Sequence, residues 1–184
     1  MKKKIIILLI IILLLVAGGI FWWQDQTEVR ELNKNLPEGV RVVKSLIGKD
    51  YKVVNKIDEY KVKLPEGWEG LKEVKYIPER TVKELKVASI NLTGNLGGFI
   101  AIDCYKLEKA NVNLEIWVNE LMQNFDLQGV LEKEIIGNFE IIKTKEEEHL
   151  AGMFLYFLKK NSRICILSGF SEEFIRSIIL NSKW

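Results

Sequence analysis

Few residues in this chain carry chemistry. The most conspicuous is Asp103, a carboxylate inside the apolar run Phe99–Leu107. A carboxyl held out of water titrates at raised pH, and such perturbed acids mark places where ligands or protons are handled. Strand alternation puts Asp103 on one side with Phe99, Ala101 and Tyr105, either facing solvent or as a paired buried acid. Trp68, after Leu64-Pro65-Glu66-Gly67, is the second ligand-site candidate. Trp117 and Tyr76 are further groove-lining aromatics, of which Trp117 reads as core.

The two cysteines, Cys104 and Cys165, both lie in apolar, strand-like stretches. An even count permits one disulfide outside reducing compartments, and small buried thiols are the other reading. A bond forms only if the two strands are neighbours. Neither cysteine has a CxxC spacing or a nearby histidine, so no metal is expected. His149, the single histidine, follows Glu146-Glu147-Glu148 and reads as a solvated hairpin tip. That leaves no basis for a Ser-His-Asp triad or a multi-histidine zinc site. The glycines of Gly94–Gly98 lack a following Lys-Ser/Thr and precede a strand, so they do not cradle phosphate. No catalytic residue, cofactor or metal is assigned, and the chain reads as non-enzymatic.

What positions these residues begins at the N-terminus. Lys2, Lys3 and Lys4 precede an uncharged run from Ile5 to Trp23. As a helix the run is about 28 Å long, close to the thickness of a bilayer's hydrocarbon core. Trp22 and Trp23 have the position of an interfacial anchor, and the lysines place the N-terminus in the cytoplasm. The expectation is a single-pass anchor over 1–23 with an extracytoplasmic C-terminal portion. A cleaved signal, cut near Ala17–Gly19, would give a secreted protein instead. The same lysines account for the excess of 27 basic over 25 acidic residues. The remainder has no basic stripe, so nucleic acid is not an expected partner; the expected partners are the lipid bilayer and an envelope protein.

Residues 24–50 read as a stalk or linker and 51–184 as one domain. Tyr60-Lys61-Val62-Lys63-Leu64 shows the period of two of a half-buried strand. Strands are also expected at Val40–Ile47, Tyr51–Ile57, Glu73–Ile77, Lys83–Leu92, Phe99–Leu107, Val130–Ile136, Phe139–Lys145, Ala151–Lys159 and Arg163–Ser168. Asn113 is a good N-cap for an amphipathic helix ending at Gly129, whose buried face is Leu114, Trp117, Val118, Leu121, Met122 and Phe125. Ser171 caps a second helix with Glu172 and Glu173 in its first turn. The fold class is α+β: an N-terminal transmembrane helix, then a mostly antiparallel sheet packed by an internal and a C-terminal helix.

The run Tyr60 to Trp68, the Trp117-Val118 helix, the strand meander and the closing Ile179-Leu180-Asn181-Ser182 together resemble the PsbP-like α/β/α sandwich of small extracytoplasmic bacterial proteins. The resemblance implies a binding or assembly role and carries over no catalytic residue. The expected function is a membrane-anchored, non-enzymatic domain presented to a partner protein or envelope component. Two alternatives stand beside it: a small-ligand carrier or hydrolase with a pocket around Asp103, and a structural subunit of a surface assembly.

Overall fold

A computed structural model describes residues 2–45, 50–64, 68, 70–95, 97–127, 129–145 and 152–184. Helix α1 (Lys2–Asn33) leads into a small antiparallel sheet of β1 (Val40–Lys44), β2 (Tyr51–Asn55) and β3 (Tyr60–Lys63). A larger sheet follows: β4 (Leu71–Val82), β5 (Leu85–Gly94), β6 (Phe99–Lys106), then helix α2 (Leu114–Asn124), β7 (Glu132–Ile136), β8 (Phe139–Lys145), β9 (Phe154–Lys160) and β10 (Arg163–Gly169). Helix α3 (Glu172–Asn181) closes the chain. The seven strands lie in the order β4-β5-β6-β10-β9-β8-β7, every pair antiparallel.

The large sheet is covered on both faces, which explains a departure from simple alternation. An antiparallel strand with one wet face alternates buried and exposed residues. Here Val87–Ile90, Leu155–Leu158 and Ile164–Gly169 are buried without a break. One face packs Ile90, Ile102, Leu158 and Leu167 against Val53 and Val62 of the small sheet and Ile175 and Ile178 of α3. The other packs Ile142, Phe157 and Ile166 against Trp117, Val118, Leu121 and Met122 of α2. Helix α3 is fastened at its first turn. Its N-cap Ser171 accepts from the Phe174 N–H, and Glu172 accepts from the Tyr156 hydroxyl at 2.5 Å and from Lys143 at 2.9 Å.

The N-terminal expectation is corrected. Taken over the described residues, no helix is long and apolar enough to cross a membrane. The transmembrane element of the fold class goes with it: the span over 1–23 that begins with Lys2, Lys3, Lys4 and Ile5, the Trp22-Trp23 anchor, and the single-pass cell-membrane placement. The helix does not end at Trp23. It continues through the polar stretch to Asn33, whose side chain accepts from the Val42 N–H at 2.7 Å and donates to the Val42 carbonyl at 3.0 Å. Farther up the helix, Glu28 accepts from Lys44 at 2.9 Å and from the Tyr51 hydroxyl. Residues read as a stalk therefore supply the last turns of α1 and strand β1, with Leu32, Val40 and Val42 in the core.

Cys104 and Cys165 sit at directly opposed positions of β6 and β10 and form a disulfide, with Cα atoms 4.1 Å apart. The bond joins residues separated by 61 positions at the middle of the sheet. On a chain-entropy account, closing a loop of that length stabilises the fold by about 4 kcal/mol. Replacing both residues (Cys104→Ala with Cys165→Ala) is expected to lower the unfolding free energy by about 3–4 kcal/mol in urea titrations. A change below about 1 kcal/mol would show that the strands hold their pairing without the bond.

Candidate functional site

The cleft lies between the large sheet and α2, and the sheet register builds its floor. Strand pairing aligns Ser89, Asp103, Ile166, Phe157 and Ile142 in one rung across β5, β6, β10, β9 and β8. The next rung is Asn91, Ala101, Ser168, Leu155 and Thr144. Both face α2. That helix starts where the Asn113 side chain accepts from the Glu115 and Ile116 N–H groups, and it rests on β8 and β9. Trp117 meets Tyr105 edge-on, with ring centroids 5.2 Å apart. The helix stops at Asn124 rather than Gly129, because Asp126 turns into the left-handed region (φ 53°) and the Leu127 N–H donates to the Met122 carbonyl. This early stop brings Phe125 and Leu127 to the wall of a cavity of about 360 Å³ over the β5–β6 side of the sheet.

A β-bulge supplies the opposite wall. In β4, Ile77 pairs with Ser89 but Arg80 pairs with Val87, so the register shifts between them. Without the shift, residues three apart would point to opposite faces. With it, both Ile77 and Arg80 line the cleft. Re-aiming a side chain is a common use of a bulge, and Pro78 inside it fits an edge strand, where a missing N–H costs no ladder bond.

The floor concentrates buried polar groups. Among the described residues the buried polar side chains are Asn55, Ser89, Thr144 and Ser168, and three of these four lie on the two rungs. Ser89 and Thr144 are each only 3% exposed, and neither hydroxyl has a well-formed hydrogen bond. Burial pushes the Asp103 carboxyl above the ordinary aspartate range; the facing Ser89 hydroxyl and the Arg80 guanidinium oppose the shift without cancelling it. Burial, and then the Asp103 charge, raise the Tyr105 hydroxyl to about 12.

Of the residues singled out from sequence, Asp103 lies in this cleft together with Phe99, Ala101 and Tyr105. Trp68 does not. It is 7% exposed in the core on the other side of the sheet, against Phe174 at 5.9 Å and beside Gly94, where an added Cβ would stand 3.0 Å from its Nε1. Tyr76 pairs with Ile90 and shares that opposite side. Glu146–Glu148 and His149 lie outside the described residues. Among the described residues, no three His, Cys, Asp or Glu side chains group to hold a metal. Ser89 and Ser168 went unnoticed, although each interrupts an apolar strand as Asp103 does. Arg80 gave no signal, because its face depends on the bulge. No family model, curated protein or solved structure matches the chain.

The raised Asp103 pKa sets a pH dependence. A carboxyl whose folded pKa exceeds its unfolded value favours folding most when protonated; this contribution is full below the unfolded pKa, about 4, and is lost as pH rises through the folded pKa. Asp103→Asn is therefore expected to melt higher than the parent at pH 7, with the gain vanishing below about pH 4. Thermal melts across that range check it; equal melting at pH 7 would contradict a desolvated carboxylate.

Proposed function

We propose that this chain is a binding domain that holds a small, partly apolar molecule in the cleft beneath α2. One observation carries the reading: Asp103 and the Ser89 hydroxyl sit side by side on the floor of a cleft walled by Phe157, Ile166, Leu121 and Phe125. Ligand sites combine an apolar lining with a few convergent polar groups, in volumes of about 300–1,000 Å³. The polar set at this cleft is one carboxyl, hydroxyls, an amide and a guanidinium. Such groups hold and orient a ligand by charge and hydrogen bonds. The disulfide behind the floor fits oxidising surroundings, where such bonds persist.

Amide chemical-shift mapping of the full chain tests the proposal, using a panel of five- to nine-carbon compounds that each carry one polar head. The expected shifts cluster on Ser89, Ala101, Asp103, Ser168 and Phe125, and Asp103→Ala weakens binding about tenfold, roughly 1.4 kcal/mol. Shifts confined to other surfaces, or none at millimolar compound, would contradict it.

A further inference from the structure

The charges at the cleft define the ligand more narrowly, within the binding role proposed above, on which the narrower assignment rests. Asp103 and Arg80 face the same cavity from β6 and β4, and Arg80 is close enough for its charge to act on the Asp103 carboxyl. Yet among the described residues the ion pairs include neither side chain. An acceptor-only carboxylate and a donor-only guanidinium thus line one opening. A ligand bearing only an ammonium group would satisfy Asp103 but meet the repulsion of Arg80. A ligand bearing only a carboxylate would satisfy Arg80, with its planar fork, but meet the repulsion of Asp103. A head group carrying both charges satisfies both at once and leaves the cleft's net charge unchanged.

The remaining walls fix the other end of the molecule. Past the Ser89–Asp103 end, the rung continues to Ile166 and Phe157, roofed by Leu121, Phe125 and Leu127. A branched or aromatic hydrocarbon group fills this part, at roughly 25 cal/mol per Å² of apolar surface removed from water. The Asn91 side chain, on the rung beside Ala101, offers both a donor and an acceptor to the head group. We propose that the cleft takes a free α-amino acid with a branched or aromatic apolar side chain, its ammonium on Asp103, its carboxylate on Arg80 and its side chain under the C-terminal end of α2.

Isothermal titration of the full chain with L-leucine and L-phenylalanine tests the assignment. Isoamylamine lacks the carboxylate, 4-methylpentanoic acid lacks the ammonium, and 4-methylpentanamide carries no charge. The amino acids are expected to bind about tenfold or more tighter than each one-charge analogue. Arg80→Gln removes the preference over the amine, and Asp103→Asn removes the preference over the acid. Arg80 is exposed, so its replacement leaves the core intact. Equal affinity for the amino acids and the analogues, or an Arg80→Gln chain that still prefers leucine over isoamylamine, would overturn the amino-acid assignment. If the uncharged amide binds at the cleft residues as tightly as leucine, the assignment falls and the binding role stands. If no probe shifts the cleft residues, both fall.

Discussion

The pairing of β6 with β10 is the constraint on which the rest depends. It joins two segments far apart in sequence at the middle of the seven-stranded sheet. The strands β4 and β5 extend the sheet from one side of this pair, and β9, β8 and β7 from the other. Successive residues of a strand point to opposite faces, so one register has two consequences. Cys104 opposite Cys165 puts the disulfide into the core shared with the small sheet and α3. Asp103 opposite Ile166, one position along, puts the carboxyl into the cleft on the other face. A slip of one residue would exchange them, burying a carboxylate in the main core and exposing a thiol in the cleft. Covalent closure of this pair therefore also fixes where the polar floor lies.

The cleft exists because α2 is too small for the surface beneath it. A helix is about 10 Å across and neighbouring strands are about 4.8 Å apart, so one helix roofs roughly two strands. Helix α2 rests on β8 and β9, against Ile142, Leu155 and Phe157. Across β5 and β6 the middle of the same face carries Ser89, Asn91, Ala101 and Asp103, with Phe99 and Tyr105 at the two ends of the β6 row. The opposite face differs, because three elements cover it: the small sheet, α3 and the end of α1. There the sheet is covered, and Trp68 and Tyr60 pack in the core.

Much of this was legible in the sequence. Capping chemistry placed the starts of α2 and α3 at Asn113 and Ser171, because a side-chain acceptor ahead of an amphipathic run is a local signal. Asp103 stood out because a charge inside an apolar strand is costly unless it is used. An aromatic after a turn looks the same whether it meets a ligand or packs in the core, and Trp68 packs beside Gly94 and Phe174. Length and hydropathy make the N-terminal run read as a bilayer span, whereas the polar turns beyond it belong to the same helix and dock on β1 through contacts no periodicity reports. The three cleft residues Ser89, Arg80 and Ser168 depend on strand neighbours and a bulge, which are long-range facts. The PsbP-like resemblance rests on turns and core positions and assigns nothing to the cleft.

The central claim is that Asp103 is a desolvated carboxyl on the floor of the cleft beneath α2, where the proposed ligand binds. The most direct measurement is the ¹³C pH titration of the Asp103 carboxyl, run with and without saturating L-leucine. The expected result is a midpoint above that of an ordinary aspartate in the free protein, falling when a bound ammonium replaces the lost water. An ordinary midpoint that leucine does not move would contradict the account.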